Sequence, residues 1–229
     1  FISIELWVIL HTEIIFKSIL KFFCIYIIDY TMKDFTSFFL LLVVITILYL
    51  YLESKSSEVI KVKADDGKDY LVRNLPDRVD AANKLALIKK RLSTIVDELY
   101  NKKNTDEHKS KLEEIELLKS NYRPDSLSES SPGNKYTSYS IDKGKKIVYC
   151  LRTKDGTNKL IDDNTITFVA IHELAHLMTK EIGHVPTFWD NMKYLLDVGI
   201  KLGVYDYVDY GDTPVKYCGT KITDTPLDK

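Results

Sequence analysis

The sequence predicts an α+β fold that is mainly helical and carries a small antiparallel sheet. Apolar residues recur at helical spacing in residues 85–99 and again in residues 164–183 and 187–203. Short runs of β-branched and aromatic residues flank turn residues at 65–67 and 142–144, which is typical of hairpins. With 229 residues, the chain has room for one medium domain and additional segments.

The most apolar part of the chain is its N-terminal end. Residues 1–31 are interrupted by charged side chains and make a poor membrane span, so we expect Met32 to be the natural start and the preceding leader not to be translated. Residues 35–52 are eighteen uncharged residues, about 27 Å long as a helix, which approaches the thickness of a bilayer core. We therefore expect residues 32–52 to form a transmembrane anchor.

The remaining chain divides into three predicted segments: a tether (53–75), a helical lead (76–122) and a catalytic region (123–229). The tether includes a predicted hairpin over residues 59–72. In the lead, we expect helices over about 76–100 and 105–120, with His108 on the solvated surface. Proline and serine in residues 123–135 indicate a loop between the lead and the catalytic region.

A metal-binding motif lies on the helix predicted over residues 164–183. Residues 172–176 read H-E-L-A-H, so His172 and His176 project from one helical face and can reach one ion. Glu173 lies about 100° around the helix from His172, where it can accept a proton from water beside the metal. Imidazole pairs of this spacing are typical of zinc sites, so Zn²⁺ is the expected cofactor.

His184 is the expected third ligand. We expect Gly183 to end the helix and Pro186 to prevent its continuation, so that the chain can return His184 to the same ion. Three protein ligands leave one tetrahedral position open, which is the arrangement of a catalytic zinc site.

Carboxylates are the alternative third ligands. Asp197 ranks second and Asp190 third, because both lie on the helix predicted next. Glu181 is too close to His176 on the same helix to reach the ion easily. No glutamate follows Glu181, which excludes a glutamate ligand from a later helix.

Charge and cysteine content limit the kinds of ligand and cross-link that we expect in this chain. The chain has 32 basic and 33 acidic residues, so charge does not indicate nucleic-acid binding. No C-x-x-C pair occurs among Cys24, Cys150 and Cys218, which argues against a zinc ribbon. We expect Cys150 and Cys218 to be buried free thiols rather than a disulfide bridge.

A second hairpin is predicted directly before the metal-binding helix, with strands over residues 136–140 and 145–152. Residues 147–151 are the candidate edge strand, along which a peptide substrate could add as a further strand. The tail, residues 204–229, is expected to be loop or short strand.

H-E-L-A-H followed by G-H-V-P-T-F-W resembles the active-site segment of the SprT and WLM zinc metallopeptidases. The resemblance implies a zincin-like catalytic domain with His172, His176 and His184 as ligands and Glu173 as the base. Residues 70–77 and the V-D-Y ending at Tyr210 are also similar to predicted metallopeptidases of large DNA viruses. The specific match covers about residues 164–190.

The expected function is that of a membrane-anchored zinc metalloendopeptidase acting on a protein or peptide. Zinc would polarise the scissile carbonyl and acidify water, Glu173 would transfer the proton, and a tyrosine would stabilise the oxyanion. Tyr205, Tyr207, Tyr210 and Tyr217 are unranked candidates for that tyrosine. The alternatives are an anchored scaffold or binding protein that retains a structural zinc site, and a zinc-dependent amidase.

Overall fold

A computed structural model describes residues 17–21, 35–55 and 58–228 of the chain. The chain divides into two compact units between residues 56 and 57. Residues 17–21 are helical. The rest of the expected leader, and the expected start at Met32, lie outside the described residues.

The first unit contains helix α1 (Phe35–Lys55). Eleven large apolar or aromatic side chains between Phe39 and Tyr51 are exposed on this helix. Among the described residues, no helix combines the length and the apolar character that crossing a bilayer requires.

The second unit contains four longer helices and seven short strands. The helices are α2 (Arg78–Lys102), α3 (Leu112–Asn121), α4 (Asp163–Met178) and α5 (Pro186–Lys201). The strands are β1 (Val59–Lys63), β2 (Asp69–Arg73), β3 (Leu127–Glu129), β4 (Tyr139–Ile141), β5 (Lys146–Tyr149), β6 (Val215–Tyr217) and β7 (Thr220–Ile222). Short 3-10 turns lie at Lys109–Lys111 and Pro226–Asp228. The α+β class predicted from the sequence is confirmed.

The main sheet has five strands in the order β1-β2-β3-β5-β4. The predicted hairpins β1–β2 and β4–β5 are antiparallel, but β3 pairs in parallel with both β2 and β5. The sheet is therefore mixed, and the prediction of a purely antiparallel sheet was wrong. The error has a local cause: β3 is a three-residue strand in the stretch read as a loop, too short to show a periodic pattern.

The position of β3 also changes the predicted edge strand. Because β5 has β3 on one side and β4 on the other, the candidate edge strand at residues 147–151 is largely interior. The edge of the sheet on this side is β4. In sequence, the two strands of a hairpin look alike, so which of them is exposed depends on a distant third strand.

The core of the second unit forms between the sheet and the helices. The six apolar positions that predicted α2, from Leu85 to Leu99, are all buried. Helix α4 packs against α2, α3 and α5 and is buried along most of its length. The hairpin and helices of the predicted tether and lead thus belong to the same compact unit as the predicted catalytic region.

The segment before α3 differs from its prediction. The helix expected from residue 105 begins at Leu112, after turns and a short 3-10 segment. His108 lies in those turns and is only 4% exposed, so its assignment to the solvated surface was wrong. The Tyr194 hydroxyl lies 2.7 Å from His108 Nδ1, and this bond to α5 satisfies the buried ring.

Cys150 and Cys218 form a disulfide, so the expectation of two free thiols was also wrong. Their Cα atoms lie 6.1 Å apart although 68 residues separate them in sequence. Cys150 directly follows β5, and Cys218 lies in the two-residue turn between β6 and β7. The bond therefore attaches the β6–β7 hairpin to the main sheet.

We expect the free energy of unfolding of the double variant Cys150→Ala/Cys218→Ala to be about 4 kcal/mol lower than that of the wild type, because closing a loop of this length restricts the unfolded chain. Urea denaturation of the full chain, with and without dithiothreitol, measures the difference. The reductant should destabilise the wild type and leave the variant unchanged. Equal stability of wild type and variant in the absence of reductant would contradict the disulfide's structural role.

A glycine in the β4–β5 turn provides a second test of the fold. Gly144 has a φ of +92°, and an added Cβ would overlap the carbonyl oxygen of Asn121 and lie 3.1 Å from a Leu177 methyl group. Gly156 has a similar φ of +88° but no neighbouring atom within 4 Å of an added Cβ.

Gly156→Ala should therefore lower the free energy of unfolding only by the strain of a positive φ, about 1–2 kcal/mol. Gly144→Ala should cost a further 1–3 kcal/mol or so, because the turn must also move away from α3 and α4. Paired denaturation curves compare the two variants. Equal costs would show that the turn does not pack closely against these helices.

Candidate metal centre

Helix α4 presents His172, Glu173 and His176 to a cavity. Its start is fixed by Asp162, whose side chain accepts hydrogen bonds from the backbone N–H groups of Asn164 and Thr165. This is an ordinary N-cap, and the helix begins at Asp163, one residue earlier than the sequence indicated. The helix thus enters the core with its histidine face in a defined orientation.

The other end of α4 differs more from the prediction. The helix ends at Met178, and Thr179 is already extended, five residues before the expected stop at Gly183. Side chains from α3 and α5 bind the terminal carbonyl groups: Asn121 donates to Leu177 O at 2.9 Å, and Asn191 donates to Met178 O at 3.4 Å. These bonds replace those that a continuing helix would have made.

Lys143 holds the segment that follows α4. Its ammonium group donates to the carbonyl oxygens of three successive residues, Thr179, Lys180 and Glu181, at 2.8, 3.2 and 3.3 Å. Lys143 lies in the β4–β5 turn with a φ of +49°. The turn thus supports the loop that carries His184.

Within this loop, Gly183 has a φ of +92°, a conformation that favours glycine. The chain reverses direction there, and α5 begins at Pro186. The sequence placed the left-handed glycine correctly but assigned it to the end of the helix rather than to the loop after it.

Three histidine side chains converge as a result. His172, His176 and His184 each offer a ring nitrogen, and these atoms lie within 4.8 Å of one another. The Nε2 atoms of His172 and His184 are 3.1 Å apart. Two nitrogens bound to one tetrahedral zinc at about 2.0–2.1 Å would be about 3.3 Å apart, so this pair already has suitable spacing.

Aromatic rings from α5 support the three histidines. Phe188 is fully buried, and its ring centroid lies 4.9, 4.4 and 4.7 Å from those of His172, His176 and His184. Trp189 stacks on His184 at 5.6 Å. Because Phe188 contacts every ring, it restricts all three imidazoles from one side.

Burial and mutual proximity keep the helical histidines neutral. Desolvation, with His176 and His184 nearby, lowers the pKa of His172 to about 3. Desolvation, with His184 and Lys143 nearby, lowers the pKa of His176 to about 4. The neutral imidazole is the form that binds metal, so the rings need not lose a proton at neutral pH.

Glu173 is 4% exposed, and burial raises its pKa to about 8. A nearby divalent cation would favour its ionised form. Three imidazoles beside a buried carboxyl group are thus a donor set that fits zinc, with His172, His176 and His184 as ligands and Glu173 beside them.

The alternative carboxylate ligands lie elsewhere. Asp190 and Asp197 are exposed on α5 and are not part of the histidine cluster. Glu181 lines the cavity but its side chain is likewise outside the cluster. The geometry therefore favours His184 over each of them.

The cavity in front of the histidines has a volume of about 690 Å³. Residues 137–140, which include the first two residues of edge strand β4, line one part of this cavity. The β6–β7 hairpin contributes Tyr217, Thr220 and Ile222 to the lining. Phe168, Val169 and Leu177 add apolar surface from α4. An open sheet edge and the histidine cluster thus face the same space.

One of the four candidate tyrosines lines this cavity. Tyr217 lines it, with its hydroxyl 2.6 Å from Ser138 Oγ. Burial raises the pKa of Tyr217, and the charge of Glu173 adds to this shift. The rings of Tyr205 and Tyr210 instead pack against Phe168 in the core. Tyr207 donates to Asp228 at the surface.

Sequence reasoning missed several residues of the site. No motif identifies Lys143, because its role depends on a turn that meets the end of a distant helix. Tyr217 could not be ranked because its position depends on the disulfide at the next residue. Phe188 had a local signal, since it lies four residues after His184 at the start of a helix, but its contact with all three rings requires the fold.

The chain matches proteins of large DNA viruses. It is 34% identical over 189 residues to the uncharacterized protein R325 of Acanthamoeba polyphaga mimivirus, covering 82% of this chain and 94% of that protein. It is 40% identical over 70 residues to the uncharacterized protein 136R of Invertebrate iridescent virus 6, covering 30% of this chain and 39% of that protein.

A similar segment occurs in the uncharacterized protein 042R of Invertebrate iridescent virus 3, with 38% identity over 69 residues, 30% of this chain and 42% of that protein. No family model matches the chain. No solved structure matches it either. The match to the mimivirus protein extends over nearly its whole length. The chain therefore belongs to the same protein family as R325 of Acanthamoeba polyphaga mimivirus.

Proposed function

We propose that this protein is a membrane-attached, zinc-dependent metalloendopeptidase with a zincin-like catalytic region of the SprT and WLM type. The observation that carries the proposal is the convergence of three histidine nitrogens beside a buried glutamate, at the base of an open cavity. Three ligands suit a catalytic site, whereas structural zinc sites usually have four.

Zinc, when bound, would polarise a substrate carbonyl and make water a stronger acid. Glu173 would take the proton from that water and deliver it to the leaving amine, as its position next to His172 allows. Tyr217, which lines the same cavity, would donate a hydrogen bond to the developing oxyanion. Its hydroxyl is oriented by Ser138 and is within electrostatic reach of Glu173.

A peptide is the substrate that the cavity suits best. The backbone of β4 has a partner on one side only, because it is the last strand of the sheet. An extended peptide could pair with that free edge and cross the histidine cluster. A volume of about 690 Å³ is adequate for side chains on either side of the scissile bond.

Membrane attachment is part of the proposal. Residues 35–52 contain no charged side chain, and those described on α1 from Phe39 to Tyr51 are mostly apolar and exposed. A soluble protein rarely exposes so many neighbouring apolar side chains. We infer that α1 inserts into a lipid bilayer.

For the metal site, we expect purified full-length protein to bind one zinc per chain and to cleave labelled casein. Glu173→Gln should keep the zinc and lose at least about 100-fold in turnover, because it removes the base without removing a ligand. His184→Ala should lose most of its zinc. Metal analysis and a fluorescence assay measure both properties.

Asp197→Asn and Asp190→Asn are matched controls, since they alter the alternative ligands and should leave zinc content unchanged. Zinc retained in His184→Ala but lost in either aspartate variant would refute the three-histidine site. Zinc bound without cleavage of any protein, peptide or amide substrate would instead support the scaffold alternative.

For the membrane helix, we expect the full chain to remain in the membrane fraction after alkaline carbonate washing. Val44→Asp/Ile47→Asp should release it, because each aspartate costs roughly 3 kcal/mol at the centre of a membrane helix. Val79→Asp changes an exposed apolar residue of α2 and should have no effect. Complete extraction of the wild type would show that α1 is not embedded.

A further inference from the structure

A second pocket lies at the end of the main sheet, away from the metal centre. Strands β2, β3 and β5 are parallel, so their carboxyl ends lie at one edge of the sheet. A cavity of about 300 Å³ opens there, which we call the strand-end pocket. Its lining includes Arg73, Glu129, Ser130, Arg152, Lys154 and Asn158. None of its lining residues is shared with the histidine cavity.

The two arginines converge on common partners. Arg73 donates from Nη1 to Asn158 Oδ1 at 2.9 Å, and Arg152 donates from Nη1 to Asn158 O at 3.0 Å. The Glu129 carboxylate accepts from Arg152 Nε and from the backbone N–H of Arg73, each at 2.7 Å. Two guanidinium groups are therefore held side by side.

Positive charge exceeds negative charge in the lining of this pocket. Arg73, Arg152 and Lys154 line it, and Glu129 is the one carboxylate in the lining. Asp77 binds Arg152 Nη1 at 2.7 Å without lining the pocket. Asp155 also lies beside the pocket, where its carboxylate accepts a hydrogen bond from Thr153 of the lining, so the excess of positive charge is confined to the lining itself.

Hydrogen-bond donors also remain unused. Among the described residues, Arg73 Nε and Arg152 Nη2 are buried without a hydrogen-bond partner. The Arg152 residue as a whole is only 2% exposed. A buried donor without an acceptor costs free energy, and native proteins contain few of them. An acceptor of negative charge would satisfy both the donors and the excess charge.

We propose that the strand-end pocket binds an oxyanion group, a phosphate or a carboxylate. Planar guanidinium groups match the oxygen spacing of both groups and bind them with paired hydrogen bonds. In open α/β sheets, ligands often bind in the crevice at the carboxyl ends of parallel strands, and the pocket lies at the same end of the parallel strands β2, β3 and β5. This proposal is independent of zinc and of peptidase activity.

Calorimetric titration of the full-length protein with inorganic phosphate, sulfate and acetate, at constant ionic strength, tests the proposal. We expect saturable binding of at least one of them. Tighter phosphate binding would assign the site to a phosphoryl group, and tighter acetate binding would assign it to a carboxylate. Glu173→Gln should bind the anion like the wild type, which separates this site from the metal centre.

Arg73→Gln should weaken binding at least 10-fold, because it removes the charge and the free Nε donor. Lys154→Gln should weaken it less, since this lysine is exposed at the pocket rim. Lys145→Gln removes the same charge from an exposed lysine outside the pocket and should bind normally. Circular dichroism verifies that each variant is folded.

Arg152→Gln is not suitable as the first test, because it would leave the buried Glu129 unpaired and could unfold the protein. Lys154→Gln keeps the proposal testable should Arg73→Gln also fail to fold. No saturable binding of the three anions to the wild type would overturn the proposal, as would equal binding by wild type, Arg73→Gln and Lys154→Gln.

Discussion

The early end of α4 at Met178 is the constraint on which the convergence of the three histidines depends. A helix that continued to Gly183 would carry the chain away from His172 and His176, and His184 could not return to them. The terminal carbonyl groups of α4 need other donors once the helix stops, and Asn121, Asn191 and Lys143 provide them. Packing of α3, α5 and the β4–β5 turn around α4 thus determines where the third histidine lies.

The same turn joins the histidine cluster to the edge strand that lines the same cavity. Lys143 lies between β4 and β5, so the loop before His184 and edge strand β4 share one support. Beside this edge, the disulfide attaches the β6–β7 hairpin to the end of β5, and Tyr217 of the hairpin lines the cavity. The elements that surround the cavity are therefore short segments, held by side chains and one covalent bond rather than by long strands.

Two buried glutamates show how differently the fold treats a carboxyl group. Glu129 is enclosed by Arg152 and the backbone N–H of Arg73, which satisfy its oxygens. Burial raises the pKa of both carboxyl groups. At Glu129 the hydrogen bonds and charges of Arg73 and Arg152 act against this shift, whereas at Glu173 burial is the cause of the shift. A carboxyl group left in this state costs stability, which is characteristic of groups retained for chemistry or for a bound cation.

The sequence alone determined the features that are encoded within a few residues of one another. The H-E-L-A-H spacing, the apolar periodicity of α2 and α5, and the two hairpin turns are all local, because helical and strand periods repeat within a short window. These patterns were sufficient to predict the α+β class, the helix that carries the H-E-L-A-H motif, and His184 as the third member of the cluster.

The tertiary structure alone decided the features that join distant segments. Because β3 pairs in parallel between β2 and β5, β4 is the edge strand. The Cys150–Cys218 bond holds the hairpin whose Tyr217 lines the cavity, which the other three candidate tyrosines do not. Contact with Tyr194 of α5 accompanies the burial of His108. The convergence of Arg73 and Arg152 likewise arises from strands far apart in sequence. Each depends on which surfaces meet when the core forms, and a short window of sequence holds no information about that pairing.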